Sequence, residues 1–360
     1  MNLIHYHDKI IANYRNYIQS FLNIKDPGIT NFVEREINDK KLWPEPLVQF
    51  NPTFEKGNPL SKLVEDGYLH SEIGKIFSGY SLYKHQEEAI LLGCKGKEFI
   101  VTSGTGSGKS LTYMATIFNE VLRMGDQAKN KVQAVIVYPM NALINSQFKE
   151  INKFKNNYEE KYGVTFPITF GQYTGQETEM ERDLLRTTPP NIVLTNYMML
   201  ELILTRGGKD IDIRESILDN IQFLVFDELH TYRGRQGSDV SMLIRRIKSG
   251  AKKKNVVCIG TSATMVSSDN STLLEQREKV AEIASTIFGT DIHSDQVVNE
   301  YLIKSLSIDD IPSIADLQLA IKEEIDSEWT ATQFEKHPTA KWIEEEIALE
   351  KREGKWVSGN

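Results

Sequence analysis

Nine consecutive residues, Thr102-Ser103-Gly104-Thr105-Gly106-Ser107-Gly108-Lys109-Ser110, follow the apolar run Phe99-Ile100-Val101 and carry the densest chemistry in the chain. The glycines at 104, 106 and 108 let backbone N–H groups turn inward around an anion, a turn that β-carbons would block. Residues Leu111 to Val121 read as a helix whose N-terminus would point at the same anion. In such a loop Lys109 would reach the β- and γ-phosphates of a nucleoside triphosphate, and the Ser110 hydroxyl would bind Mg²⁺. Ser103 stands where the usual pattern has its first glycine, but the strand–loop–helix context is present. The expected phosphate site is therefore Ser103, Gly104, Thr105, Gly106, Ser107, Gly108, Lys109 and Ser110.

A second constellation, Asp227-Glu228-Leu229-His230, closes the apolar run Leu224-Val225-Phe226. Successive side chains at a strand end leave in different directions, so two adjacent carboxylates can do different work. Asp227 is expected to hold Mg²⁺, and Glu228 to orient and deprotonate a water attacking the γ-phosphate. The metal is expected because the charge developing on the triphosphate has to be neutralised.

The elements that must position these groups alternate as in a doubly wound α/β sheet. Buried-strand patterns lie at Phe99–Thr102, Val132–Tyr138, Ile168–Gln172, Ile192–Thr195, Phe223–Phe226 and Val256–Gly260, and helical patterns at 110–124, 140–156, 176–186, 197–205, 237–249 and 272–288. Such sheets bind ligands at the carboxyl ends of their strands. Upstream, residues 8–25 form a helical pattern, and the stretch from Leu42 to Leu60, with four prolines, reads as extended until regular structure resumes near Tyr83. The aromatic side chains between 14 and 32 are expected to be core rather than a base-stacking platform. The pattern predicts a leader over 1–79, a nucleotide-binding lobe over 80–289 and an irregular acidic segment over 290–360, with no further strand–helix unit in that segment.

Loop and acidic pair together make residues 80–265 resemble the DEAD/DEAH-box helicases of superfamily 2. Ser103–Ser110 resembles motif I of that family and Asp227-Glu228-Leu229-His230 its motif II in the DExH form, which implies a RecA-like P-loop lobe, ATP as ligand and His230 as a residue coupling to the rest of the site. Ser262-Ala263-Thr264 resembles motif III, which implies a link between the nucleotide site and the nucleic-acid groove. Gln86 resembles the glutamine that reads adenine in these proteins. Tyr138-Pro139-Met140-Asn141-Ala142-Leu143 resembles motif Ia, Tyr173-Thr174-Gly175 motif Ib, and Thr195-Asn196-Tyr197 the Thr-Asn element after it. The resemblance implies nucleic-acid contacts at Pro139, Met140, Asn141, Thr174, Gly175, Thr195 and Asn196, through groups suited to gripping phosphates without reading bases. The run Asp227 to Val240, with Leu243-Ile244-Arg245-Arg246 after it and Trp43-Pro44-Glu45-Pro46 before it, is similar to large helicases of the Lhr-like and Hrq-like type, which implies DNA. For Arg233, Arg235, Arg245 and Arg246 the alternative reading is a solvated basic helix face.

Composition frames these readings. With 360 residues, 40% apolar and 26% charged, the chain suits a soluble protein of more than one unit. Cys94 and Cys258 are the only cysteines and lack metal-type spacing, which argues against disulfides and zinc and fits the cytoplasm. The net charge is −8, but residues 306–360 hold 13 acidic and 6 basic side chains, which leaves the body nearly neutral and its charge uninformative about nucleic acid. Nothing after Thr264 resembles the second RecA-like lobe of the family. The expectation is therefore an ATP-dependent DNA helicase or translocase represented by its first lobe and part of an inter-lobe region. Such a lobe would bind ATP and DNA with little turnover alone, and a separately encoded second lobe is a candidate partner. The rival readings are another P-loop enzyme and an inert module that binds nucleic acid or a protein.

Overall fold

The structure is a computed structural model that describes residues 3–38, 52–104, 106–263, 272–306, 312–322 and 329–358. The chain divides into two compact units, one of residues 53–303 with 351–357 and one of residues 1–52, 304–350 and 358–360.

The larger unit is built on seven strands: β1 Phe99–Thr102, β2 Ala134–Tyr138, β3 Phe170–Tyr173, β4 Ile192–Asn196, β5 Phe223–Phe226, β6 Val257–Ser262 and β7 Val297–Asn299. They lie in the order β7-β1-β6-β5-β2-β4-β3, and every neighbouring pair is parallel. Helices cover both faces, so the central strands are apolar on both sides and read as unbroken runs, whereas the edge strand β3 alternates half-buried and buried positions. Within them, alternate residues divide between two cores. Ala134, Ile136, Tyr138, Val225 and Ile259 face one, and Val135, Val137, Leu224, Phe226 and Cys258 face the other.

The helices of this unit that matter here are α1 Lys84–Cys94, α2 Lys109–Met124, α3 Asn141–Tyr162, α4 Glu179–Thr187, α5 Tyr197–Thr205, α6 Ile211–Asn220, α7 Gly234–Gly250 and α8 Leu273–Phe288. All six expected strands and all six expected helices are there, Phe99–Thr102, Phe223–Phe226 and Tyr197–Thr205 with the expected ends and the others with shifted ones. Two elements of the sheet region were not expected. Helix α6 has only Ile213 and Ile217 fully buried, too thin a stripe to mark a helix in the sequence. Strand β7 contributes a mere Val-Val pair to the sheet, beyond residue 289, where no further strand was expected.

Ordered structure also resumes earlier than Tyr83. Helices Leu60–Glu65 and Ser71–Ile76 deliver Leu60, Leu63, Ile73, Ile76 and Phe77 to the first core. Thr53–Phe54 pairs antiparallel with Leu302–Ile303, and Leu302 also pairs with Trp356. Most of the proline-rich stretch, with Trp43 to Pro46, lies outside the described residues.

In the smaller unit the first helix runs Leu3–Ser20 instead of 8–25, and a second spans Pro27–Asn38. Tyr14, Tyr17, Phe21 and Phe32 are exposed, which corrects the expectation that they are core. Periodicity identifies an apolar face but not what, if anything, covers it. Further along, Ser305 and Leu306 donate their N–H groups to the Glu344 carboxylate, and Lys304 pairs with Glu345.

Candidate functional site

The sheet order decides what meets what. Strands β1, β6 and β5 are neighbours although they are far apart in sequence, so the phosphate-type loop, Ser262 and Asp227-Glu228 all emerge at one end of the sheet. The loop leaves β1 and enters α2 through Gly108, whose φ of 71° and ψ of 35° are left-handed. The left-handed backbone calls for glycine, and a β-carbon there would stand 2.4 Å from Gln86 Nε2 and push that amide aside. Lys109 Nζ donates to the carbonyls of Ser103 at 2.9 Å and Gly104 at 3.1 Å, which folds the cation back over its own loop. The Ser103 and Ser107 hydroxyls share a hydrogen bond of 2.5 Å across the loop's base. Thr105 lies outside the described residues, and Ser110 is half-buried in the first turn of α2.

From α1, two buried side chains support the loop. Gln86 Nε2 donates to the carbonyls of Ser107 and Gly108, each at 3.1 Å, while its Oε1 accepts from Tyr83 N at 2.9 Å. Its amide is thus committed to the loop and its own helix start, and at 3% exposure it does not face outward. His85 Nε2 lies 3.1 Å from the Ser107 carbonyl, which can only accept, so the ring proton sits on Nε2. Burial holds this imidazole neutral, with its pKa lowered to about 4. Nothing in the sequence had marked His85 beyond its place beside Gln86.

Asp227 and Glu228 diverge because Glu228 takes a left-handed backbone, φ 52° and ψ 53°, unusual outside glycine and a place where strain is stored. Asp227 is buried. Thr261 Oγ1 donates to its Oδ1 and also accepts from Glu228 N at 3.2 Å. Burial, reinforced by the Glu228 charge, raises the Asp227 carboxyl to about 6, while Thr261 and Lys109 oppose the rise. Thr261 was not anticipated: it precedes the Ser-Ala-Thr segment and reads as an ordinary strand threonine.

His230 Nδ1 lies 3.0 Å from Ser262 Oγ and 3.3 Å from Glu228 Oε2. The Ser262 hydroxyl donates to Ala263 O at 2.6 Å, so His230 is the donor toward Ser262. Ser262 O in turn accepts from Ser103 N at 3.1 Å. Ser262 thereby joins the acidic pair to the start of the loop, whereas Thr264 lies outside the described residues.

The remaining candidates sit at the other half of the same edge, on β2, β4 and β3. Asn196 caps α5 by accepting from Met199 N at 2.9 Å and donates to Asn141 Oδ1 at 2.8 Å. The first bond satisfies a helix-start amide, and the second ties two loops together. Met140 is exposed and Pro139 half-exposed beside it. Thr195 is fully buried and spends its hydroxyl on Tyr173 O at 2.6 Å, so it braces the neighbouring strand and does not reach the surface. The Thr174 and Gly175 N–H groups, expected to hold a phosphate, both donate to the Glu177 carboxylate, at 2.9 and 2.8 Å. Arg246 pairs with Glu201, and Arg245 bonds Ser241 O and Thr286 O, while Arg233 and Arg235 are exposed.

A parallel sheet with a glycine-rich loop entering a helix at its carboxyl edge defines a RecA-like nucleotide-binding lobe. The DEAD/DEAH box helicase family model matches residues 83–272, and the chain belongs to that family. An ATP-dependent helicase of Methanocaldococcus jannaschii is 29% identical over 204 residues, 55% of this chain and 28% of that protein. The ATP-dependent helicase Lhr-Core of Saccharolobus solfataricus is 24% identical over 244 residues, 67% of this chain and 26% of that protein. The chain thus spans about a quarter of the length of these curated relatives. Among solved structures, the DUF1998 helicase MrfA bound to DNA and AMPPNP matches the fold with a TM-score of 0.52 at 22% identity, over 80% of this chain and 38% of that one.

Proposed function

We propose that this chain is the ATP-binding lobe of a superfamily 2 helicase or translocase acting on DNA in the cytoplasm. The observation that carries the reading is the meeting of Lys109, Asp227, Glu228 and Ser262 at adjoining strand ends around one loop.

In this reading the loop amides from Gly106 to Ser110 hold the β- and γ-phosphates, and Lys109 exchanges its carbonyl partners for phosphate oxygens. The buried Asp227 carboxylate, held by the Thr261 hydroxyl, and the Ser110 hydroxyl suit a hard divalent cation. Mg²⁺ bound there would neutralise charge on the triphosphate. Glu228 orients a water toward the γ-phosphorus and takes its proton as the water oxygen bonds to phosphorus and the bond to ADP breaks. His230 and Ser262 carry the state of that site to β6 and the loop start. Gln86 fixes the loop, and contact with adenine would require its amide to turn outward.

DNA is the partner that the Lhr-type resemblance favours, and MrfA was solved with it. Pro139, Met140, Asn141, Thr174, Gly175 and Asn196 would hold the sugar–phosphate backbone, with Thr195 bracing them from inside. Full turnover needs positive charge on the far side of the γ-phosphate, where an arginine is worth roughly 10³–10⁵ in rate, and a second lobe would supply it. The test is ATPase activity with and without single-stranded DNA, alone and with a second lobe added. Stimulation on mixing is expected. Fast hydrolysis by the chain alone, lost in Lys109→Ala, would overturn the need for a second lobe, and failure to bind ATP under any condition would overturn the reading itself.

A further inference from the structure

Resting on the triphosphate reading of the loop, we infer that Glu300 is a positioning residue for it and that the end of β7 is the latch that holds its first turn. Strand β7 runs beside β1 with Asn299 in register with Thr102. From there three consecutive residues reach back toward the site. Asn299 Oδ1 accepts from Thr102 Oγ1 at 2.6 Å. Glu300 N donates to Thr102 O at 3.2 Å, and its carboxylate accepts from Gly104 N at 2.7 Å. Tyr301 donates to the Glu88 carboxylate at 2.8 Å, on the helix that carries Gln86, and its carbonyl accepts from Glu55 N at 2.7 Å.

A glycine-rich turn is costly to hold in one conformation, and Gly104 has no side chain of its own to do so. The Glu300 carboxylate supplies that hold from outside the loop. It does so half-buried beside the loop: burial raises its carboxyl, with the Gly104 N–H and the Lys109 charge opposing. Its charge also lies opposite that of Lys109, the cation that must leave the loop carbonyls when phosphate arrives. The latch thus ties the readiness of the phosphate loop to the segment through which the chain leaves the sheet.

The test is equilibrium titration of the whole chain with a fluorescent N-methylanthraniloyl ATP, on wild type, Glu300→Ala, Glu300→Asp, Glu300→Gln and Lys109→Ala. Loss of a charge-assisted hydrogen bond that orders the loop should weaken binding about tenfold in Glu300→Ala and in Glu300→Asp, whose acceptor is withdrawn by one methylene. Glu300→Gln keeps an acceptor for Gly104 N–H and should stay within about threefold of wild type, with unchanged thermal midpoints. Wild-type affinity in Glu300→Ala, or the reverse order with Asp near wild type and Gln as weak as Ala, would overturn the inference. If Glu300→Ala fails to fold, the Asp and Gln pair decides alone. Strong binding by wild type that is lost in Lys109→Ala but unaffected at Glu300 would sink the latch and leave the nucleotide reading standing. No binding by wild type would remove both.

Discussion

The carboxyl edge of the sheet has two halves that solve different problems. On β1, β6 and β5 the polar groups are bonded to partners far away in sequence: Asp227 to Thr261, Ser103 to Ser262, Gly104 to Glu300. On β2, β4 and β3 the bonds are mostly local, as with Glu177 on Thr174 and Gly175 or Asn196 on Met199, and Met140 and Met198 stand exposed at 58% and 55%. The first half is a socket framed by long-range bonds, in which a small, highly charged ligand would take Lys109 over from the loop carbonyls. The second is a surface whose groups can be released one at a time, as a grip on a moving polymer requires.

That contrast can be broken experimentally. The largest effect belongs to the socket: Lys109→Ala should weaken binding of the ATP analogue by about 3 kcal/mol, roughly a hundredfold, and leave single-stranded DNA binding within about twofold. Equal losses of both ligands would mean that the halves are not separable. His85 offers a pH signature of the socket. Its folded pKa of about 4 lies below the ordinary 6.5, so the native state binds fewer protons than the unfolded chain between those values. Stability is therefore complete above pH 6.5 and declines as pH falls toward 4, by up to about 3 kcal/mol. Urea midpoints at pH 7.5 and pH 5 should show this decline in wild type and a flatter profile in His85→Phe.

Smaller effects follow. Thr261→Val, which preserves shape but strips Asp227 and Glu228 N of their shared hydroxyl, should cost about 2 kcal/mol in chemical denaturation. Asn196→Ala removes a helix cap and the link to Asn141, for about 1 kcal/mol of stability, and should weaken DNA more than nucleotide. Smallest, and opposite in sign, Glu177→Ala frees two N–H groups. Single-stranded DNA affinity should rise about threefold, with the log K against log salt slope steeper by roughly 0.7. A fall in affinity would show that Glu177 shapes the loop for DNA and does not compete with it.

Much of this lobe was legible because its signals are local. Gly-x-Gly-x-Gly-Lys-Ser after a short apolar run states both a turn and the helix that follows, and the central strands announce themselves as short apolar runs. What escaped were partners supplied across the sheet. Thr261, Glu300 and His85 touch the site only because β6, β7 and α1 happen to neighbour the loop, and no spacing in the sequence encodes that adjacency. Thr195 illustrates the converse. Its position at a strand end reads as surface equipment, yet the parallel pleat turns its hydroxyl onto Tyr173 O.

The place of β1 in the sheet has a consequence for the order of assembly. Its two neighbours are β6, Val257–Ser262, and β7, Val297–Asn299, both far downstream in the chain. On a ribosome the strand that carries the phosphate loop therefore emerges early and waits, with both hydrogen-bonding edges open, until nearly the whole lobe has been synthesised. Pairing across such distances is slow, and open edges are where chains misassociate. The first chemical motif to be made is the last to be framed, so a nascent chain arrested before residue 257 would carry every residue of the loop and neither of the strands that flank it.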